Sequence, residues 1–221
     1  MLLLIVSLLG PTAGAASADE PHPHQGVIAA YDGAPPMPEL SAEDLAKLEA
    51  GDPVRKQVQT GTGSDAAGRG VAIQDIHADP DVVWGRILDF DAYPRMVDNV
   101  KSTSVYERSG EHLKVAFVIG APMVSIEYYI DHVLRKDEGW MTWRLDYARH
   151  SDFDDTVGFW RVAALPDKPG WTRVVYSVEL KASGWVPAPL ENAFATMGLN
   201  KATSWVKREA EAAAGTSTGK R

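Results

Sequence analysis

From Val124 to Leu134 apolar and polar positions alternate. Val124, Ile126, Tyr128, Ile130, His132 and Leu134 share one side, and Ser125, Glu127, Tyr129 and Asp131 share the other. A period of two is that of a strand with one dry and one wet face. The same pattern turns Leu113, Val115, Phe117 and Ile119 inward. It recurs where Val174, Tyr176, Val178 and Leu180 alternate with Arg173, Ser177, Glu179 and Lys181. Met141, Trp143, Leu145 and Tyr147 give a further face, and Gly158, Trp160 and Val162 another. Strands are predicted over residues 70–78, 100–107, 112–119, 124–135, 140–147, 156–165 and 171–182. Turn residues such as Ser109-Gly110 and Asp137-Glu138-Gly139 separate them. From residue 100 on the connections are short, so consecutive strands are antiparallel; a parallel pair needs a long crossover.

Between the first two strands the period changes. Asp79-Pro80 offers an N-cap and a proline at the first helical position, and Val83, Trp84, Ile87 and Leu88 follow at helical spacing. A second short helix is predicted over 92–96. A long one over 190–213, entered past Pro187 and Pro189, carries the stripe Leu190, Phe194, Met197, Lys201 or Ala202, and Trp205. That stripe is one-sided, so the helix lies on a surface. The fold class is α+β: a curved antiparallel sheet of about seven strands around one long C-terminal helix, with two short helices after the first strand.

The N-terminal residues belong to other categories. An apolar run from Leu2 to Leu9, then Gly10-Pro11 and Ala16-Ser17-Ala18, reads as a signal peptide over 1–18, with Asp19 the expected mature N-terminus. Export to the periplasm or secretion follows. Residues 19–68 form a Pro/Gly-rich extension in which 42–49 offers one short helix capped by Ser41, ending in a flexible linker, GTGSDAAGRG. The folded domain is expected over 69–213 and a flexible tail over 214–221.

Composition narrows the function. The 221 residues are 45% hydrophobic and 24% charged, with net charge −8, which suits a soluble globular domain and disfavours a nucleic-acid surface. Cysteine is absent, so disulfides, thiolate nucleophiles and Cys-ligated metals are excluded. No phosphate-binding glycine loop, zinc-protease helix or serine-nucleophile elbow occurs. His22 and His24, and the cluster Asp146, His150, Asp152, Asp154 and Asp155, have metal-binding residue types but no ligand spacing. The second cluster reads as an exposed hairpin loop, and Asp131 as an outward, solvated acid. No metal or cofactor is expected.

Three stretches together resemble a known family. They are IHADPDVVWGRILDFDAYPRMVDNVKSTSVYE, VGFWRVAALPDKPGWTRVVYSVEL and the proline-flanked final helix. Asp79-Pro80, Val83-Trp84, Leu88, Asp89-Phe90 and Tyr93-Pro94, then Gly158-x-Trp160 and Thr172 to Tyr176, are similar to the START-like (helix-grip) superfamily. Within it they resemble the polyketide cyclase/dehydrase and coenzyme Q-binding group. The resemblance covers about residues 69–213 and implies the fold, whereas function varies widely across the superfamily.

The inward face is large, aromatic and nearly free of formal charge, while Ala193, Gly198 and Ala202 keep the helix lean. That combination leaves an apolar cavity, the usual form of a ligand site. Expected ligand-binding residues are Val115, Phe117, Ile119, Tyr128, Ile130, His132, Trp143, Leu145, Trp160, Tyr176, Val178, Phe194 and Met197. The chain reads as a monomeric carrier of an apolar small molecule (lipid, sterol, quinone or polyketide), with transient membrane contact and a lid hinged near Gly184 to Pro189. Alternatives are a cyclase or dehydratase, and an interaction module with a filled cavity. His132 is the one weak catalytic candidate: a neutral ring able to donate one hydrogen bond and accept another.

Overall fold

A computed structural model describes residues 19–60, 67–121, 124–182 and 188–215. Along the chain come α1 (Ala42–Glu49), β1 (Val54–Thr60), β2 (Ala67–Ile76), α2 (Pro80–Ile87), α3 (Tyr93–Met96) and β3 (Val100–Ser109). They are followed by β4 (His112–Ala121), β5 (Val124–Arg135), β6 (Trp140–Leu145), β7 (Phe153–Ala164), β8 (Thr172–Ala182) and α4 (Ala188–Ala214). One antiparallel sheet has the order β1-β2-β8-β7-β6-β5-β4-β3. This is the helix-grip fold.

The count is eight strands rather than seven, because β1 adds an edge strand that pairs only with β2. Its sequence, VRKQVQT, is mostly polar, as suits an edge, and hides the strand from a search for apolar alternation. The N-terminal extension therefore contributes a strand as well as the expected helix, and 67–70 of the expected linker join β2. β6 ends at Leu145 and leaves Tyr147 in the following loop; β7 starts at Phe153, with a bulge between Phe153 and Asp155.

The main core fills the concave side. Trp84, Val83 and Ile87 of α2 are buried there with Leu113, Val115, Ile130, Leu145 and Val174 from the sheet. α4 crosses β2 and β8 and packs against α2, burying Trp205, Val206 and Ala210. A second cluster, Leu48, Val54, Ile73, Phe159 and Val175, lies on the convex side, where Tyr31 and Leu40 of the extension cover it.

Residues 19–40 hold no helix or strand, as the prolines dictate, yet they are fastened to the sheet. His22 Nε2 donates to the Asp154 carbonyl at 2.8 Å, and the backbone N–H groups of Val27 and Ile28 each donate to Asp155 Oδ2 at 2.7 Å. Arg161 Nη1 donates to the Pro35 carbonyl at 2.7 Å, and Tyr31 meets Phe159 edge-on at 5.1 Å. The acidic loop is therefore not the exposed hairpin that its composition suggests. Asp146, Asp152 and Asp155 are buried acceptors: Tyr106 O–H donates to Asp146 and the Glu127 N–H to Asp152. Asp131 is outward but likewise buried, 2.9 Å from His112 Nδ1. A convex face covered by its own chain replaces water around these acids with donors.

Candidate functional site

Strand register assembles one wall. Phe117 pairs with Tyr128, His132 with Trp143, Trp143 with Gly158, and Trp160 with Tyr176. A Cβ at Gly158 would collide with the Trp143 ring and the Ser177 carbonyl, so glycine is what lets Trp143 lie flat over the sheet. Phe117 and Tyr128 stack at 5.1 Å and 6°, and Tyr176 lies between Trp143 at 5.5 Å and Trp160 at 4.6 Å. Phe90, Tyr93 and Met96 close one side, and Ala202 and Trp205 of α4 close the top. The cavity, open on one side among the described residues, measures about 410 Å³, within the range of small-molecule sites.

Among the described residues its depths carry polar atoms but no charge. His132, 5% exposed, donates from Nδ1 to the Leu113 carbonyl at 2.9 Å. Burial drives its pKa down to about 4, so the ring is neutral at pH 7. Tyr93 O–H is spent on the Ile87 carbonyl at 2.6 Å. Tyr128 and Tyr176 keep their hydroxyls unpartnered among the described residues, and burial raises the pKa of both above the usual phenol value. Formal charge appears at the rim, where Lys201 pairs with Asp98 and Arg208 donates to the Met96 carbonyl at 2.7 Å. Asn99, with φ 66, supplies the left-handed turn beside Asp98.

Of the residues expected to bind ligand, Phe117, Ile119, Tyr128, Ile130, His132, Trp143, Trp160, Tyr176 and Val178 line this cavity. Val115 and Leu145 do not. Both flank Ile130 in register and are completely buried in the core cluster that includes Ile87. Period two assigns a face, not a depth. The side chains of Phe194 and Met197, and residues 184–187 of the expected hinge, lie outside what is described, whereas its last residues, Ala188 and Pro189, already belong to α4. Sequence reading overlooked Phe90, Tyr93, Met96, Phe153 and the rim residues Asp98, Asn99 and Arg208. The first two already stood in the motif that carries the family resemblance, as Asp89-Phe90 and Tyr93-Pro94.

His22 and His24 meet at 4.7 Å, with His150 at 5.8 Å from His22. Both ring nitrogens of His22 are engaged, with the Asp154 carbonyl and the Ser151 N–H. No group of three or more His, Asp or Glu among the described residues is placed to hold a metal.

Residues 76–203, more than half of the chain, match the model of the family described as polyketide cyclase/dehydrase and lipid transport. The chain belongs to this family. No curated protein matches the chain. Among solved structures, a protein from Thermus thermophilus superposes with TM-score 0.55 at 18% identity, over 66% of this chain and 98% of its own. The Zhui aromatase/cyclase from Streptomyces sp. R1128 gives 0.55 at 11%, over 66% and 96%. A STAR-related lipid transfer protein from Xanthomonas axonopodis gives 0.54 at 12%, over 70% and 98%. At such identities the shared property is the START-like fold. The family match begins at Ile76, so α1 and β1 lie outside it.

Proposed function

We propose that this START-like protein is an exported carrier that holds one apolar small molecule between the sheet and α4. The observation that carries the reading is the 410 Å³ cavity with aromatic walls and, among the described residues, a neutral interior with charges only at its rim. Moving a ligand's apolar surface out of water into such a space contributes about 25 cal/mol per Å². The apolar run and the Ala16-Ser17-Ala18 sequence within residues 1–18 support export. The ligand classes that fit are lipids, sterols, quinones and polyketides.

A cyclase or dehydratase is the weaker reading, although one structural neighbour is described as an aromatase/cyclase. Acid–base catalysis near pH 7 needs a group that titrates there. His132, held near pKa 4 and backed only by a backbone carbonyl, is a poor base.

The carrier reading is tested by filling the cavity. Ala202 is 8% exposed and faces the cavity from α4. In Ala202→Phe, the dissociation constant for 1-methylnaphthalene, followed by tryptophan fluorescence, is expected to rise about tenfold or more, a loss of about 1.4 kcal/mol. Val178→Phe makes the same test from the sheet. Unchanged affinity in both variants, folded by circular dichroism, would contradict the reading.

A further inference from the structure

We propose that the cavity selects apolar molecules whose polar head is a hydrogen-bond donor (an alcohol, phenol or enol) over equally shaped molecules that only accept. The proposal rests on the carrier reading and adds to it the chemistry of the head. A neutral imidazole has one N–H and one lone pair. The Leu113 carbonyl can only accept, and at 2.9 Å from Nδ1 it takes the N–H. Nε2 is therefore the lone-pair nitrogen. The tautomer is fixed by a backbone atom on the adjacent strand, since Leu113 and His132 are register partners. No described residue hydrogen-bonds to Nε2, and the ring lines the cavity between Phe90 at 5.3 Å and Trp143 at 6.3 Å.

A ligand hydroxyl placed there supplies the missing hydrogen. A ketone, aldehyde or ether oxygen presents a lone pair to a lone pair and leaves Nε2 unpaired in an apolar surrounding, the costly arrangement. Protonation would remove the discrimination by adding a second N–H, but burial opposes the imidazolium at neutral pH. The Tyr128 and Tyr176 hydroxyls rotate and serve as donor or acceptor, so they add affinity for polar heads without telling one kind from another. The structure thus narrows the expectation that His132 offers both a donor and an acceptor. Its donor is used internally.

The test uses 1-naphthol, 1-naphthaldehyde and 1-methylnaphthalene, which share a ring system and differ in the head. His132→Phe is expected to weaken 1-naphthol about tenfold, while the other two, which leave Nε2 unpaired in the native chain, bind as tightly as before or more tightly. An independent readout needs no variant. In the ¹⁵N spectrum of His132 in the native chain, Nε2 is expected to be the unprotonated nitrogen and to shift on addition of 1-naphthol but not of 1-methylnaphthalene. Protonated Nε2 in the free protein, or equal loss of all three probes in His132→Phe, would overturn the selection. Failure of all three to bind the native chain would overturn the carrier reading itself.

Discussion

Asp155→Ala is expected to lower the unfolding free energy by about 4 kcal/mol and to free residues 20–30 from the convex face. Asp155 is fully buried and meets four donors. Val27 N–H and Ile28 N–H reach Oδ2 at 2.7 Å each, and Tyr147 O–H and Thr156 N–H reach Oδ1 at 2.9 Å each. Hydrogen bonds to a charged acceptor contribute about 1.5–3 kcal/mol each, and removing the acceptor strands the donors. The summed cost is limited because residues 20–30 can detach and return their N–H groups to water. Asp155→Asn keeps one oxygen and turns an NH₂ towards donors, so its loss should lie between native and alanine. Urea denaturation gives the energies, and hydrogen exchange at Val27 and Ile28 reports the detachment. A loss under about 1 kcal/mol with both amides still protected would contradict the role assigned to Asp155.

Acid should destabilise the protein through His132. Its pKa is about 4 folded against 6.5 for the ordinary side chain. The unfolded chain takes up the proton first as pH falls. Stability is therefore full above about pH 6.5 and is lost progressively down to about pH 4, below which this contribution is flat. The difference corresponds to about 3 kcal/mol, at about 1.4 kcal/mol per pH unit. His22, whose pKa burial also lowers, acts in the same direction. The quantity to measure is thus the difference in pH slope between the native chain and His132→Phe. A shallower loss of stability from pH 7 to pH 4 in the variant is expected, and parallel curves would show that His132 is not buried in its neutral form.

The concave face was legible because alternation is enforced there: β5 turns apolar side chains into the core and mostly polar ones to the convex side, and a one-residue slip would exchange them. Gly158, Trp160 and the residues around Trp84 carried the family pattern because each fills a fixed place in or against the cavity wall. The convex face was not legible. Asp155 looks like any loop acid until Val27 and Ile28, more than a hundred positions earlier, are known to lie over it. The polar β1 gave no period to read. At His132, alternation gave the side of the sheet, but the identity of the free nitrogen depended on a carbonyl of the neighbouring strand.

The central claim is that an apolar molecule occupies the space between sheet and α4. Intermolecular nuclear Overhauser effects from bound 1-naphthol test it most directly. Contacts to the Trp143 and Tyr176 rings on one side and to the Ala202 methyl on the other are expected, because these groups face one another across the cavity. Contacts confined to the convex side, around Tyr31 and Phe159, would contradict it.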